Sequence, residues 1–192
     1  DISANNSGSS FVVFGKTSGA NVELSNIASA TGGFVINGAS AVDASGFSVS
    51  AAGDVNDDGL SDLIVGAGGA DINGNNSGSS YVVFGKTTTT AIELSDVNAG
   101  SNGFSINGVT ATDLSGFSVS NAGDVNGDGL DDLIIGAEQD DPHGGNSGAS
   151  FVVFGKTDST AVDLSNIENG TGGFVINGGT DGDLFGRSVS NA

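Results

Sequence analysis

Two stretches of the chain place oxygen-bearing side chains at alternate positions around a glycine. In the first, Asp54, Asn56, Asp58 and Asp62 surround Gly59; in the second, Asp124, Asn126, Asp128 and Asp132 surround Gly129. A calcium ion takes roughly six to eight hard oxygen ligands, and a tight loop can aim alternate side chains at one centre only if a glycine allows the sharp turn. The backbone carbonyls of Leu60 and Leu130 occupy the position that would add a further ligand. Each loop so built carries three carboxylates and one amide, whose mutual repulsion a divalent cation relieves. Magnesium suits the pattern less well, because it demands stricter octahedral geometry and keeps its water. Transition metals are disfavoured, since neither loop holds a His or a Cys. The competing explanation is a pair of acidic turns closed by their own side chains, and the recurrence of all four positions in both copies weighs against it. The loops also resemble those of EF-hands and dockerins, but position 9 is the last acid here and an apolar run follows at once, Leu63 to Val65 or Leu133 to Ile135. The expectation is a calcium loop inside a β-hairpin, with two Ca2+ sites in the chain.

No other constellation promises chemistry. The single histidine, His143, lies in an acidic, glycine-bearing loop with no histidine counterpart at position 73 or 3, and a solvated loop residue is its plainer role. Serines are abundant, yet no Gly-x-Ser-x-Gly elbow with a placed base and acid can be assembled. The sequence therefore predicts a non-catalytic chain. Lys16, Lys86 and Lys156 follow Phe-Gly pairs and are expected at equivalent corners facing acidic surface. The aromatic residues at 11, 14, 81, 84, 151 and 154 recur at one spacing and are expected in the core.

The composition agrees with a cation as partner. Of the 192 residues, 23 are Asp or Glu and 4 are Lys or Arg, a formal net charge of -19, which argues against a nucleic-acid backbone or an anionic membrane surface. An apolar content of 36% is enough for a packed core. Without cysteine there is neither a disulfide framework nor a thiolate metal site. No apolar run approaches the roughly 20 residues that span a bilayer. A chain that starts at Asp1 and has no methionine reads as a processed piece or an interior section of a longer protein.

What must position the loops is a repeat. Phe11 to Thr17 returns as Tyr81 to Thr87 and as Phe151 to Thr157, Gly33 to Gly38 returns as Gly103 to Gly108 and Gly173 to Gly178, and the offset is 70 residues each time. Three whole units would exceed the chain by 18 residues, the third equivalent of Gly53 to Ala70. Within a unit the short β-branched and aromatic runs predict four strands, near 46–55, 62–67, 79–85 and 103–109, and no helix. The insert 86–102 is expected to add a turn or a short strand. Four strands repeated at a fixed period predict an all-β fold of β-propeller blades, each of four antiparallel strands, with about 2.7 units in this chain. A β-solenoid is the alternative, although its coils are usually shorter and lack internal hairpins. The expected division is 1–45 as the end of a first blade, 46–115 and 116–185 as blades with calcium loops, and 186–192 as the first strand of a further blade, all in one propeller-type domain.

At Gly123 to Ala137, and at Gly53 to Ala67 with Asp57 in place of a glycine, the sequence resembles the FG-GAP repeat family, known from the β-propeller of integrin alpha subunits and from bacterial surface and secreted proteins. It departs from that pattern at the start of each copy's first strand, where only the third copy has the Phe-Gly pair, Phe185-Gly186, and the earlier ones have Gly46-Phe47 and Gly116-Phe117, and in replacing the proline of Gly-Ala-Pro by Gly68 and Glu138. The resemblance implies propeller blades whose calcium loops stiffen the hairpins of one face and leave the other free for ligands. It implies an extracellular or cell-surface location, an adhesion or interaction role toward a protein or glycan ligand, and no membrane insertion. Two alternatives stand beside it: a structural subunit that self-assembles through open blade edges into a homo-oligomeric ring, fibre or surface layer, and an accessory propeller of a larger secreted enzyme.

Overall fold

The computed structural model describes residues 5–191. The first repeat contributes β1 (Ser9–Val13), the short helix α1 (Leu24–Ala28) and β2 (Gly33–Asn37). The second contributes β3 (Ser48–Gly53), β4 (Asp62–Ala67), β5 (Ser79–Val83), β6 (Ile92–Glu93), α2 (Leu94–Asn98) and β7 (Gly103–Asn107). The third repeats that order as β8 (Ser118–Gly123), β9 (Asp132–Ala137), β10 (Ala149–Val153), β11 (Val162–Asp163), α3 (Leu164–Glu168) and β12 (Gly173–Asn177). Among the described residues no helix is long and apolar enough to cross a membrane.

Strands β3, β4, β5 and β7 form an antiparallel meander, and β8, β9, β10 and β12 form its copy. This is the four-stranded propeller blade expected from the repeat. A solenoid coil would pair its strands in parallel with those of the next coil, so the internal hairpins exclude that alternative. The strands are the predicted runs trimmed at their ends, because β-branched and aromatic residues such as Ile64, Val82 and Phe104 fill a pleated, buried surface while the flanking Gly and Asn leave it. Between Ala51 and Gly53, and between Asn121 and Gly123, a register shift bends the innermost strand just before the acidic loop.

The insert 86–102 and its equivalents correct the expectation of no helix. In the second and third repeats it forms a two-residue strand followed by a five-residue helix and reaches back to the preceding sheet, while in the first repeat the equivalent segment forms the helix α1 alone. Strand β6 joins β2 in parallel through Ile36 and Ile92, and β11 joins β7 through Ile106 and Val162. A helix so short has no amphipathic period to read, and its stability comes from packing rather than propensity. Leu94 and Val97 of α2, and Leu164 and Ile167 of α3, are fully buried.

The core therefore lies between sheets. One cluster gathers Phe34 and Ile36 of β2 with Val65, Tyr81, Val83, Leu94 and Val97 of the next repeat. The other gathers Ile64, Val82, Phe104 and Ile106 with Leu133, Ile135, Phe151, Leu164 and Ile167. The recurring aromatic residues divide accordingly: Tyr81 and Phe151 are buried, while Phe11, Phe14, Phe84 and Phe154 are half-buried at the rims.

Candidate metal centre

Both acidic loops leave the innermost strand of a blade and return along the next. In the first, the turn is closed by its own side chains. The amide of Asp58 donates to Asp54 Oδ1 (3.1 Å) and to Asn56 Oδ1 (2.9 Å), that of Gly59 donates to Asp54 Oδ2 (2.9 Å), and that of Leu60 donates to Asp58 Oδ1 (2.8 Å). The second loop repeats every bond: Asp128 N to Asp124 Oδ1 (3.1 Å) and Asn126 Oδ1 (2.8 Å), Gly129 N to Asp124 Oδ2 (2.9 Å), and Leu130 N to Asp128 Oδ1 (2.9 Å). Asn56 and Asn126 also donate through Nδ2 to the Oδ2 of Asp58 and Asp128, at 3.1 and 2.8 Å. Gly59 and Gly129 turn through φ of 84° and 95°, the left-handed region that a side chain resists. Asp57 takes φ of 61° where the second loop has Gly127 at 79°.

The last acid of each loop is placed differently from the first three residues. Asp62 and Asp132 are wholly buried at the start of β4 and β9. Asp62 accepts from Val55 N (3.0 Å) through one oxygen and from Gly85 N (2.7 Å) through the other, and Asp132 does the same with Val125 (2.9 Å) and Gly155 (2.8 Å). Each carboxylate thus ties its loop to the chain leaving the third strand of the blade. The approach is close enough to need a glycine: a Cβ on Gly85 would lie 2.6 Å from Leu60 Cβ, and one on Gly155 would lie 2.5 Å from Leu130 Cβ. Burial pushes the Asp62 carboxyl up to about 6, against the pull of its two amide bonds, and the charges of Asp58 and Asp54 add to the rise. Burial likewise raises Asp132.

The two loops also touch. Asp131 Oδ2 accepts from Asp54 N (2.8 Å), Asp131 N donates to the Asp54 carbonyl (3.2 Å), and Lys156 N donates to the Val55 carbonyl (2.9 Å). Asp131 stands where the other repeat has Ser61, so this tie between blades leaves no repeated signal in the sequence.

The donor chemistry fits a hard divalent cation. Asp54 and Asn56 converge on the amide of Asp58, whose own carboxylate accepts from Leu60 N, and the side chains offer oxygen ligands, with the same arrangement at Asp124, Asn126, Asp128 and Leu130. Among the described residues no three acidic or histidine side chains are gathered into a ready-made metal cage. Asp62 and Asp132 are fully buried at the base of the loop, whereas Asp58, Asp124 and Asp128 are exposed and Asp54 is half-buried, so a cation would reach the first two carboxylates and the amide of each loop before the last acid.

The other candidates are structural. His143 has a counterpart after all: its Nδ1 donates to the Gly178 carbonyl (2.9 Å), just as Asn73 Nδ2 donates to the Gly108 carbonyl (2.8 Å). Lys86 and Lys156 lie over the rings of Phe34 and Phe104 in the preceding sheet, at 4.6 and 4.8 Å. Lys156 also pairs with Asp158 at 2.8 Å and holds its carboxyl well below the usual carboxylate range.

Comparison with known proteins finds one family model that matches part of the chain. The FG-GAP repeat matches residues 45–83 and 115–153, in each case the segment from the first to the third strand of a blade with the acidic loop inside it. These two segments are similar to FG-GAP repeats. The outer strand and the helical insert that crosses to the neighbouring sheet lie beyond the matched residues. No curated protein matches the chain.

Proposed function

We propose that this pair of FG-GAP repeats belongs to a calcium-stiffened, non-catalytic propeller segment that works outside the cell as an adhesion or interaction module for a protein or glycan. The observation that carries the calcium reading is the doubled loop. Two copies hold Asp, Asn and Asp around a glycine turn with the same hydrogen bonds, and neighbouring copies meet through Asp131 and Asp54. When bound, calcium supplies the charge that balances the first two carboxylates of each loop. The loop residues do the rest: Asp54 and Asp124 orient the turn through their amide bonds, and Asp62 and Asp132 anchor it to the blade.

A location outside the cell suits a loop of this kind, because extracellular modules bind calcium with dissociation constants on the order of 10⁻⁴ to 10⁻³ M, which external calcium fills. The non-catalytic reading is supported by the sequence pattern, in which no serine stands in an elbow motif with a placed base and acid, and by the use of the His143 ring to hold a backbone carbonyl.

Calorimetric titration of the chelator-stripped chain with calcium and with magnesium tests the reading. Two calcium sites are expected, with Asp54→Ala and Asp124→Ala each removing one. Absence of heat and an unchanged melting temperature at roughly 10 mM calcium would overturn it.

A further inference from the structure

The contacts that join successive repeats are the same at both junctions inside the chain, and each junction has a giving side and a receiving side. The giving side is the insert. Ile92 and Glu93 pair in parallel with Ile36 and Asn37, and Val162 and Asp163 pair with Ile106 and Asn107. The acid at the second position accepts from the asparagine opposite: Asn37 Nδ2 to Glu93 Oε1 at 2.6 Å, and Asn107 Nδ2 to Asp163 Oδ1 at 2.9 Å. The lysine that opens the insert covers a phenylalanine of the receiving strand, Lys86 on Phe34 and Lys156 on Phe104. The leucine that starts the helix, Leu94 or Leu164, is completely buried.

The same four features stand open at opposite ends of the described structure. On the giving side, Lys16, Val22, Glu23 and Leu24 occupy the equivalent positions, and Val22 and Leu24 are 39% and 52% exposed. The side chain of Lys16 is already set, since it donates to the Ala20 carbonyl as Lys86 and Lys156 donate to those of Thr90 and Thr160. On the receiving side, β12 presents Phe174 and Ile176 at 44% and 40% exposure, where Phe34, Ile36, Phe104 and Ile106 are buried. Asn177 is exposed at the position of Asn37 and Asn107.

We infer that β12 is a docking edge for the insert of another such repeat, and that its occupant here is the segment 16–27 of a second copy of this chain, joined head to tail. Ile176 then pairs in parallel with Val22, Asn177 donates to Glu23, Lys16 covers Phe174, and Leu24 enters the apolar face of the last sheet. The surfaces are complementary without being alike, so the contact is heterologous and propagates into a ring or an open filament according to its rotation. This inference rests on the repeat junctions and is independent of calcium.

Sedimentation velocity of the 192-residue chain, in a buffer of roughly physiological salt so that the net charge of -19 is screened, tests it. The expected result is a concentration-dependent series of species. Leu24→Asp and Ile176→Asp, both at exposed positions, should each weaken self-association at least about tenfold. Mixing the two variants should restore association but stop it at a dimer, because each retains one working end. Asn177→Leu checks the receiving edge without placing a charge on the strand. A wild-type chain that stays monomeric up to roughly 200 μM, or variants that associate as the wild type does, would overturn the inference.

Discussion

Replacing Asp62 by alanine in the calcium-free chain separates the anchoring role of this carboxylate from any metal it helps to hold. The side chain is fully buried and accepts two amides, from Val55 at 3.0 Å and from Gly85 at 2.7 Å. Val55 is itself fully buried, so its amide is left without a partner or water and costs about 1 to 3 kcal/mol, whereas the half-buried amide of Gly85 costs about 0.5 to 1 kcal/mol. Relief of the buried charge returns part of this, since burial already raises the carboxyl to about 6. The expected net loss is about 2 kcal/mol. An asparagine in place of the acid keeps the shape but offers one acceptor to two donors, so Asp62→Asn should lose about half as much. Asp58→Ala, on the exposed turn, should cost less than about 0.5 kcal/mol under the same conditions. Urea denaturation with a chelator present, followed by circular dichroism, measures all three. If Asp62→Ala lies within about 0.5 kcal/mol of the wild type while the other two match it, the claim that the acid anchors the hairpin through its two amides is wrong.

Three further outcomes follow from the geometry. Gly85→Ala drives a Cβ to 2.6 Å from Leu60 Cβ and 2.7 Å from the Ser61 carbonyl, and should cost about 1 to 3 kcal/mol in the same denaturation assay. Leu164→Ala should cost about 2 to 5 kcal/mol because the side chain is completely buried between sheets, whereas Leu24→Ala, half exposed at the equivalent position, should cost less than about 0.5 kcal/mol. Asp140 is raised to about 6, first by burial and then by the charge of Asp113, with Glu168 and Asp141 adding to it. Its folded value lies above its unfolded one, so the protonated form favours folding: stability should fall as pH rises from about 4 through 6, and Asp140→Asn should flatten that part of the profile of melting temperature against pH.

Much of this structure is legible in the sequence because the chemistry recurs. The offset of 70 residues aligns strands, acidic loops and rim aromatics, and a repeated aromatic at a β-type position is buried where a neighbouring sheet covers it, as Tyr81 and Phe151 are. The oxygen pattern around Gly59 and Gly129 likewise marks a tight glycine turn between the first two strands of a blade. The crossing of the insert is not legible, since two residues in parallel pairing and five in a helix are too few for either period to show, and their partners lie in another repeat. The anchoring of Asp62 is also not legible from spacing: the sequence marks it as the last ligand of a loop but does not show its burial or its bonds to Val55 and Gly85, the second of which depends on a glycine 23 residues away. His143 and Asn73 show the reverse case, in which different residues perform one task because each can present an N–H to the same carbonyl.

The back-reaching insert bears on how such a chain can change its length over generations. Both junctions are built from the same short set of residues, and the middle repeat both receives an insert and gives one. A duplication or deletion of one whole 70-residue period leaves every surviving junction chemically unchanged, so the gene can grow or shrink by units without redesigning a core. A change of half a period strands a lysine, an acid and a leucine in water at one place and a phenylalanine and an asparagine at another. Selection on copy number is therefore quantised by the junction, and the near identity of the three repeats is what keeps any neighbour interchangeable with any other.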